Sequence, residues 1–385
     1  DPNSAADPKR LYLLKDVVLS LNDYVYCSPD SLYHIKMDKL DFRASTGRLK
    51  IRKFAVVPKY AEMDFAKIAG YPKARFNVSC NDISLGGIDF PLYLSKQELF
   101  AREMQIENGF VAIFTTNEFS DKALPKHGRF PHQLLQTLNR RITVQKLNLH
   151  NIDLSYSAYN KESQQRGTIT FDNTAGTISN LTNVPKYKGL NPVMSAKLSS
   201  RFMNKGDLKV DFRFHLSAAN GFFKYSGNLR QMDGRALNKI TKPLAMLQIK
   251  SGYIDELKFE VRADENHALG KLDFRYHNLG VRLLQRSEDS ERLVAKGWLS
   301  FLANNLIINS ENPSRDGKLV TAGINYRRPE TASFFSFLYK SLFQGIKHSI
   351  GFTPEKEKAI RSQIEKFEKM KSDRDKRREN RLKRR

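Results

Sequence analysis

A chain of 385 residues with 40% hydrophobic side chains can bury a sizeable core, which excludes wholesale disorder. Its 65 Lys and Arg against 41 Asp and Glu give a formal charge of +24. That favours an anionic partner: nucleic acid, phospholipid or lipopolysaccharide. No run of roughly eighteen uncharged apolar residues occurs, so none of these residues reads as a spanning helix.

In chain order, residues 1–116 read as an N-terminal β segment with short helices near Met63–Ile68 and Leu92–Phe100. Cys27 and Cys80 are too few for a disulfide scaffold or a zinc ribbon. They read as two mostly buried free thiols, and pairing in an oxidising compartment stays open. Residues 117–138 read as a linker with Pro125 and Gly128, then a short helix opened by Pro131. Residues 139–332 form the main β region, predicted as an elongated, curled antiparallel sheet, a half-pipe or groove. Leu208, Val210, Phe212, Phe214 and Leu216 alternate there with Lys209, Asp211, Arg213, His215 and Ser217. The pattern returns at Leu257, Phe259 and Val261, then at Leu272, Phe274 and Tyr276, then at Val281 and Leu283. Shorter versions lie at Leu147 and Leu149, then Ile152, Leu154 and Tyr156. Period-two alternation puts the apolar side chains on one face of a strand and the polar ones on the other. Antiparallel sheets with one dry face have this pattern. Turn residues separate the strands, as in Asn204-Lys205-Gly206-Asp207 and Ala219-Asn220-Gly221. A helix over Ala236–Leu247 is interrupted by Pro243.

At Ser333 the period changes to 3.6, predicting an amphipathic helix over 333–352. Phe334, Phe335, Phe337, Leu338, Leu342, Phe343 and Ile346 supply its apolar side. Residues 353–385 are a charged tail with 14 Lys or Arg and 7 Asp or Glu, so the body keeps +17.

The residues offer little enzyme chemistry. The eight histidines are single, with no HExxH and no cysteine pair at zinc spacing. No nucleophile elbow, Walker loop or GxGxxG occurs. Adjacent carboxylates such as Asp255-Glu256 do not by themselves make an acid/base pair across a cleft. The expectation is a protein that is not an enzyme and takes no cofactor or metal. Basic residues alternate with acids along the wet face, which predicts cross-strand pairs. No recognition helix or RNP motif is present, so nucleic acid is the weaker partner.

Three phrases carry a resemblance: FAVVPKYAEMDFAKIAGYPKAR from Phe54, GTITFDNTAGTISNLTN from Gly167 and GNLRQMDGRALNKITKPLAMLQIKSGYID from Gly227. With the helix at 333–350, they resemble Bacteroidetes envelope proteins of the AsmA-like superfamily. The resemblance implies a periplasmic protein held at the inner membrane by an N-terminal helix outside this chain. It also implies a β-sheet curled into an apolar groove and a role in phospholipid movement or outer-membrane homeostasis.

Together these features predict a groove that binds acyl chains of phospholipid or another anionic lipid. Its expected lining is Leu208, Val210, Phe212, Phe214, Leu257, Phe259, Val261, Leu272, Phe274 and Tyr276. For each the other reading is an ordinary sealed core. The 333–352 helix is expected to meet a membrane surface or to cap the sheet. The alternative function is an envelope assembly scaffold that recruits a protein partner and carries no lipid.

Overall fold

The computed structural model describes residues 16–119, 122–286, 293–295 and 309–352, with isolated positions 362 and 369–370. The rest of the 353–385 tail lies outside the described residues. In chain order the elements are β1 (Val18–Cys27), β2 (Tyr33–Arg43), β3 (Arg48–Ile51), β4 (Phe54–Pro58), α1 (Glu62–Ala69), β5 (Arg75–Gly86) and α2 (Phe90–Lys96). Next come β6 (Glu98–Thr116), α3 (Pro131–Gln136), β7 (Arg141–Asn160), β8 (Gln165–Thr182), α4 (Pro185–Leu190), β9 (Val193–Phe202) and β10 (Gly206–His215). The chain continues through β11 (Phe223–Asp233), α5 (Asn238–Ala245), β12 (Leu247–Ala263), β13 (His267–Arg286), β14 (Leu293–Ala295), β15 (Thr321–Arg327) and α6 (Phe334–Ser349). The predicted short helices are present within a few residues, except that Glu98–Phe100 belongs to β6. Helix α4, opened by Pro185, was not anticipated.

The strands form one long, curled sheet with β1 at one described edge and β14 and β15, both paired to β13, at the other. Its two faces are chemically distinct across almost its whole width. One cross-strand row runs Ile51–Ile83–Ile106–Leu149–Gly176–Leu198–Val210–Gly227–Phe259–Leu272–Ala322. A parallel row runs Leu49–Leu85–Met104–Leu147–Ile178–Ala196–Phe212–Tyr225–Val261–Gly270–Ile324. The row between them points the other way and is polar throughout, from Lys50, Ser84 and Gln105 to Glu260 and Lys271. Period-two alternation in each strand, brought into register, produces this two-faced sheet. Where the sheet must come close to a side chain it uses glycine: a Cβ on Gly227 would lie 2.4 Å from the Phe259 ring.

In several strands the apolar spacing lengthens from two residues to three, as from Leu149 to Ile152 and from Tyr276 to Leu279. Left-handed residues sit at those breaks: Asn108, Asn151, Asn173, Gln231 and Asn278, with φ between 48° and 55°. Each absorbs one residue, so the following side chains return to the dry face. Asparagine tolerates this conformation better than most residues. Asn151 and Asn108 are also tied side by side, Nδ2 donating to Oδ1 at 2.6 Å.

One pairing departs from the expected antiparallel plan. β6 and β7 run parallel, from Glu98 opposite Arg141 to Thr116 opposite Tyr159. The 117–138 stretch is therefore a crossover within one sheet, because parallel neighbours need a long return connection. Its return path delivers Phe130 and His132, both buried, to the aromatic cluster of Phe214, Phe223, Phe334 and Phe337.

Two devices fix the interior. The buried Arg328 guanidinium donates to the carbonyls of Lys126, Glu265 and Ala332 at 2.7–3.1 Å and lies 4.6 Å from the Phe130 ring centroid. It joins the crossover, the β12–β13 turn and the approach to α6. Burial lowers its pKa. The second device is the His132 ring, buried 4.9 Å from Phe214. Burial pushes its pKa down to about 4.

Arg328→Met should lower unfolding stability by about 3 kcal/mol in denaturant titration, since the carbonyls of Lys126, Glu265 and Ala332, the last of them buried, lose their donor. Arg328→Lys should recover little, because an ammonium cannot span the fork. For His132 the folded pKa lies below the unfolded value near 6.5. Its contribution is therefore intact above that pH and is lost as pH falls toward about 4. The loss should total about 3 kcal/mol. His132→Phe should flatten that part of the stability–pH curve.

Candidate functional site

The apolar face of the curled sheet is the feature that could hold a ligand, and it divides into a filled reach and an open one. Helix α6 lies in the filled reach and touches both walls. Phe335 stacks on Tyr156 of β7 at 5.7 Å, while Phe337 meets Tyr326 of β15 at 6.0 Å. Ser333 caps the helix by accepting from the Ser336 N–H at 3.3 Å. Its inner face is Phe337, Ser341, Gly345 and Ser349. Small residues at i, i+4 and i+8 let the helix settle close to the strands. A Cβ on Gly345 would lie 3.0 Å from Ile324 and 3.2 Å from Leu272. The Tyr225 and Ser341 hydroxyls meet at 2.6 Å, and burial raises the tyrosine pKa.

The ten residues expected to line a groove do converge on this face. Phe214, Leu257, Phe259, Val261, Leu272, Phe274 and Tyr276 are buried in a single cluster that includes Phe337. Leu208, Val210 and Phe212 are half-buried at its margin. Protein side chains thus occupy the space beside most of these positions. Most of the seven helix residues also turn inward, whereas Phe343 lies on the side of the helix away from the buried face. Phe337 is fully buried, and Phe334, Leu338, Leu342 and Ile346 pack against the same cluster. Phe335 and Phe343 are half-buried, with Lys347 Nζ 5.9 Å from the Phe343 ring centroid.

The open reach lies between β2 and β8 and escaped the sequence reading. Half-buried Leu40, Leu49, Ile51, Met104, Ile106 and Leu149 pack around buried Ile83, Leu85 and Leu147. Among the described residues, the helical side chain packed against this cluster is Phe90, at the strand ends. The available signal was a set of apolar pairs at i and i+2: Leu49/Ile51, Ile83/Leu85, Met104/Ile106 and Leu147/Leu149. Such two-point alternations are too short to mark a core until pairing lines them up.

Short helices edge both rims. α1 and α5 stand at one, where Arg166 pairs with Glu62 at 2.6 Å and Ser163 Oγ donates to the Pro243 carbonyl at 2.6 Å. α2, α3 and α4 stand at the other.

The polar face carries the expected cross-strand ion pairs. Examples are Arg201–Asp207 at 2.5 Å, Arg230–Glu256 at 3.4 Å and Lys271–Glu260 at 3.6 Å. A shallow furrow of about 800 Å³ on this face mixes Lys197, Lys209, Lys258 and Lys271 with Asp211, Glu260 and Asp273. Its charges alternate, so it presents no field of one sign. Both cysteines are free, Cys27 exposed and Cys80 buried. No helix among the described residues is long and apolar enough to cross a membrane.

The two reaches should respond differently to a buried charge. Leu272→Asp should abolish cooperative folding, as burying an unpaired carboxylate exceeds about 4 kcal/mol. Ile51→Asp should leave a cooperative melt with a loss near 1 kcal/mol, since the open side lets the carboxylate reach water. Circular dichroism melts check both.

The chain matches no protein-family model and no curated protein.

Proposed function

We propose that this is a non-enzymatic cell-envelope protein that holds lipid acyl chains in the open reach of its apolar trough. In this reading it contributes to phospholipid transfer or outer-membrane homeostasis. The supporting observation is a stripe of apolar residues running from β3 to β15, interrupted by glycines and filled by α6 along only part of its length. A sheet with one apolar face must cover that face. Acyl chains suit the remaining reach because it offers width and length without a polar code. Each methylene buried there is worth about 0.8 kcal/mol, so a two-chain lipid is retained by contact alone. Headgroups stay at the rim, and the +24 charge favours anionic ones.

The test is native mass spectrometry of the purified chain with extraction of bound lipid. Phospholipid should be present, and Ile51→Asp/Ile106→Asp should lose most of it while keeping the fold. A folded wild-type chain with a clean apo mass would overturn lipid carriage. It would favour the scaffold reading, for which the wholly exposed edge strand β1 is the available pairing surface.

A further inference from the structure

The parallel β6–β7 pairing has a geometric consequence at one rim. β6 and β7 start side by side, and antiparallel β8 ends beside them. The helix before β6 (α2), the helix before β7 (α3) and the helix after β8 (α4) are thereby collected at the same edge. Contacts join them. Tyr187 of α4 lies 5.5 Å from Phe100 at the start of β6, and Lys188 Nζ donates to Gln136 Oε1 of α3 at 2.8 Å. Arg140 reaches Gln97, just after α2, at 3.4 Å.

This rim gathers several exposed apolar side chains on three neighbouring helices. Leu190 is 78% exposed, Leu134 and Leu138 are each 48%, and Tyr93 and Leu94 each 38%. Around them stand Lys96, Arg140, Arg141, Lys186 and Lys188, none in an ion pair among the described residues. Of the carboxylates on the same elements, Asp89 caps α2 through the Leu92 N–H and Glu98 is buried. At the opposite rim Lys67 pairs with Asp64, Lys73 with Asp30 and Arg166 with Glu62, while Lys239 and Lys242 of α5 are in no ion pair among the described residues.

We infer that the α2–α3–α4 rim docks on an anionic lipid bilayer, inserting its leucines among the headgroups while the unpaired cations meet the phosphates. Aliphatic tips ringed by Lys and Arg that no carboxylate neutralises are the composition of interfacial anchors. The rim is also an edge of the trough, so docking would bring the trough mouth to the bilayer. The lipid reading supplies the purpose of docking, whereas the surface itself stands on exposure and charge. This assigns a membrane contact to three short helices in addition to the one expected of α6, most of whose apolar side packs on the core.

Vesicle flotation of the full chain tests the inference, with the basic tail present in every sample. Wild type should float with vesicles containing phosphatidylglycerol and not with pure phosphatidylcholine. Leu134→Ser/Leu138→Ser/Leu190→Ser should reduce the bound fraction about tenfold with an unchanged melt. Lys96→Glu/Arg140→Glu/Lys186→Glu should do the same. Wild-type flotation by either rim variant, or no flotation of the wild type, overturns the docking surface. Native mass spectrometry keeps the two proposals apart. The rim variants should retain trough lipid, and Ile51→Asp/Ile106→Asp should still float.

Discussion

Everything in this molecule follows from one constraint: a sheet this wide with one apolar face cannot leave that face in water. Curling brings the walls together, but side chains must still fill the space between them. α6 does so along β11 to β15, and its Ser341–Gly345–Ser349 edge is there because a larger side chain would hold the helix off Leu272 and Ile324. Phe130 and His132 fill the adjoining end, and Arg328 fastens them to the helix approach. Between β2 and β8 no comparable filler packs against the cluster among the described residues. Among the described residues the same stripe is thus packed under a helix in one half and left half-buried along part of the other.

The parallel β6–β7 pair organises the rest. Antiparallel neighbours could have been joined by a tight turn, whereas this pair requires the chain to travel back the length of a strand. That return contributes buried aromatic residues to the interior. It also sets the starts of two neighbouring strands, with their helices, at one rim. Core composition and rim chemistry therefore have a common topological origin. The left-handed asparagines have a complementary role, keeping each long strand facing the same way after an added residue.

Much of the fold was legible in the sequence. Leu208 to Phe214, Leu257 to Val261 and Leu272 to Tyr276 announce strands with one dry face, and they share that face in register. The helix from Ser333 was legible from its period. The trough was only half legible. Long alternations drew attention to β10, β12 and β13, the very strands whose faces are most thoroughly buried. The open reach is built from pairs such as Leu49/Ile51 and Met104/Ile106, each too brief to stand out.

The sequence by itself determined that the strands have two unlike faces and that the C-terminal helix has an apolar side. Those are local periodicities carried by neighbouring residues. Tertiary structure decided what each apolar surface touches. Whether Leu272 lines a groove or a core depends on α6, more than fifty residues away. Whether Leu134 and Leu190 share an edge depends on β6 and β7 running parallel. Contacts between distant segments are not written in the spacing of either one, so the boundary between sealed core and open trough emerges only when the chain is folded.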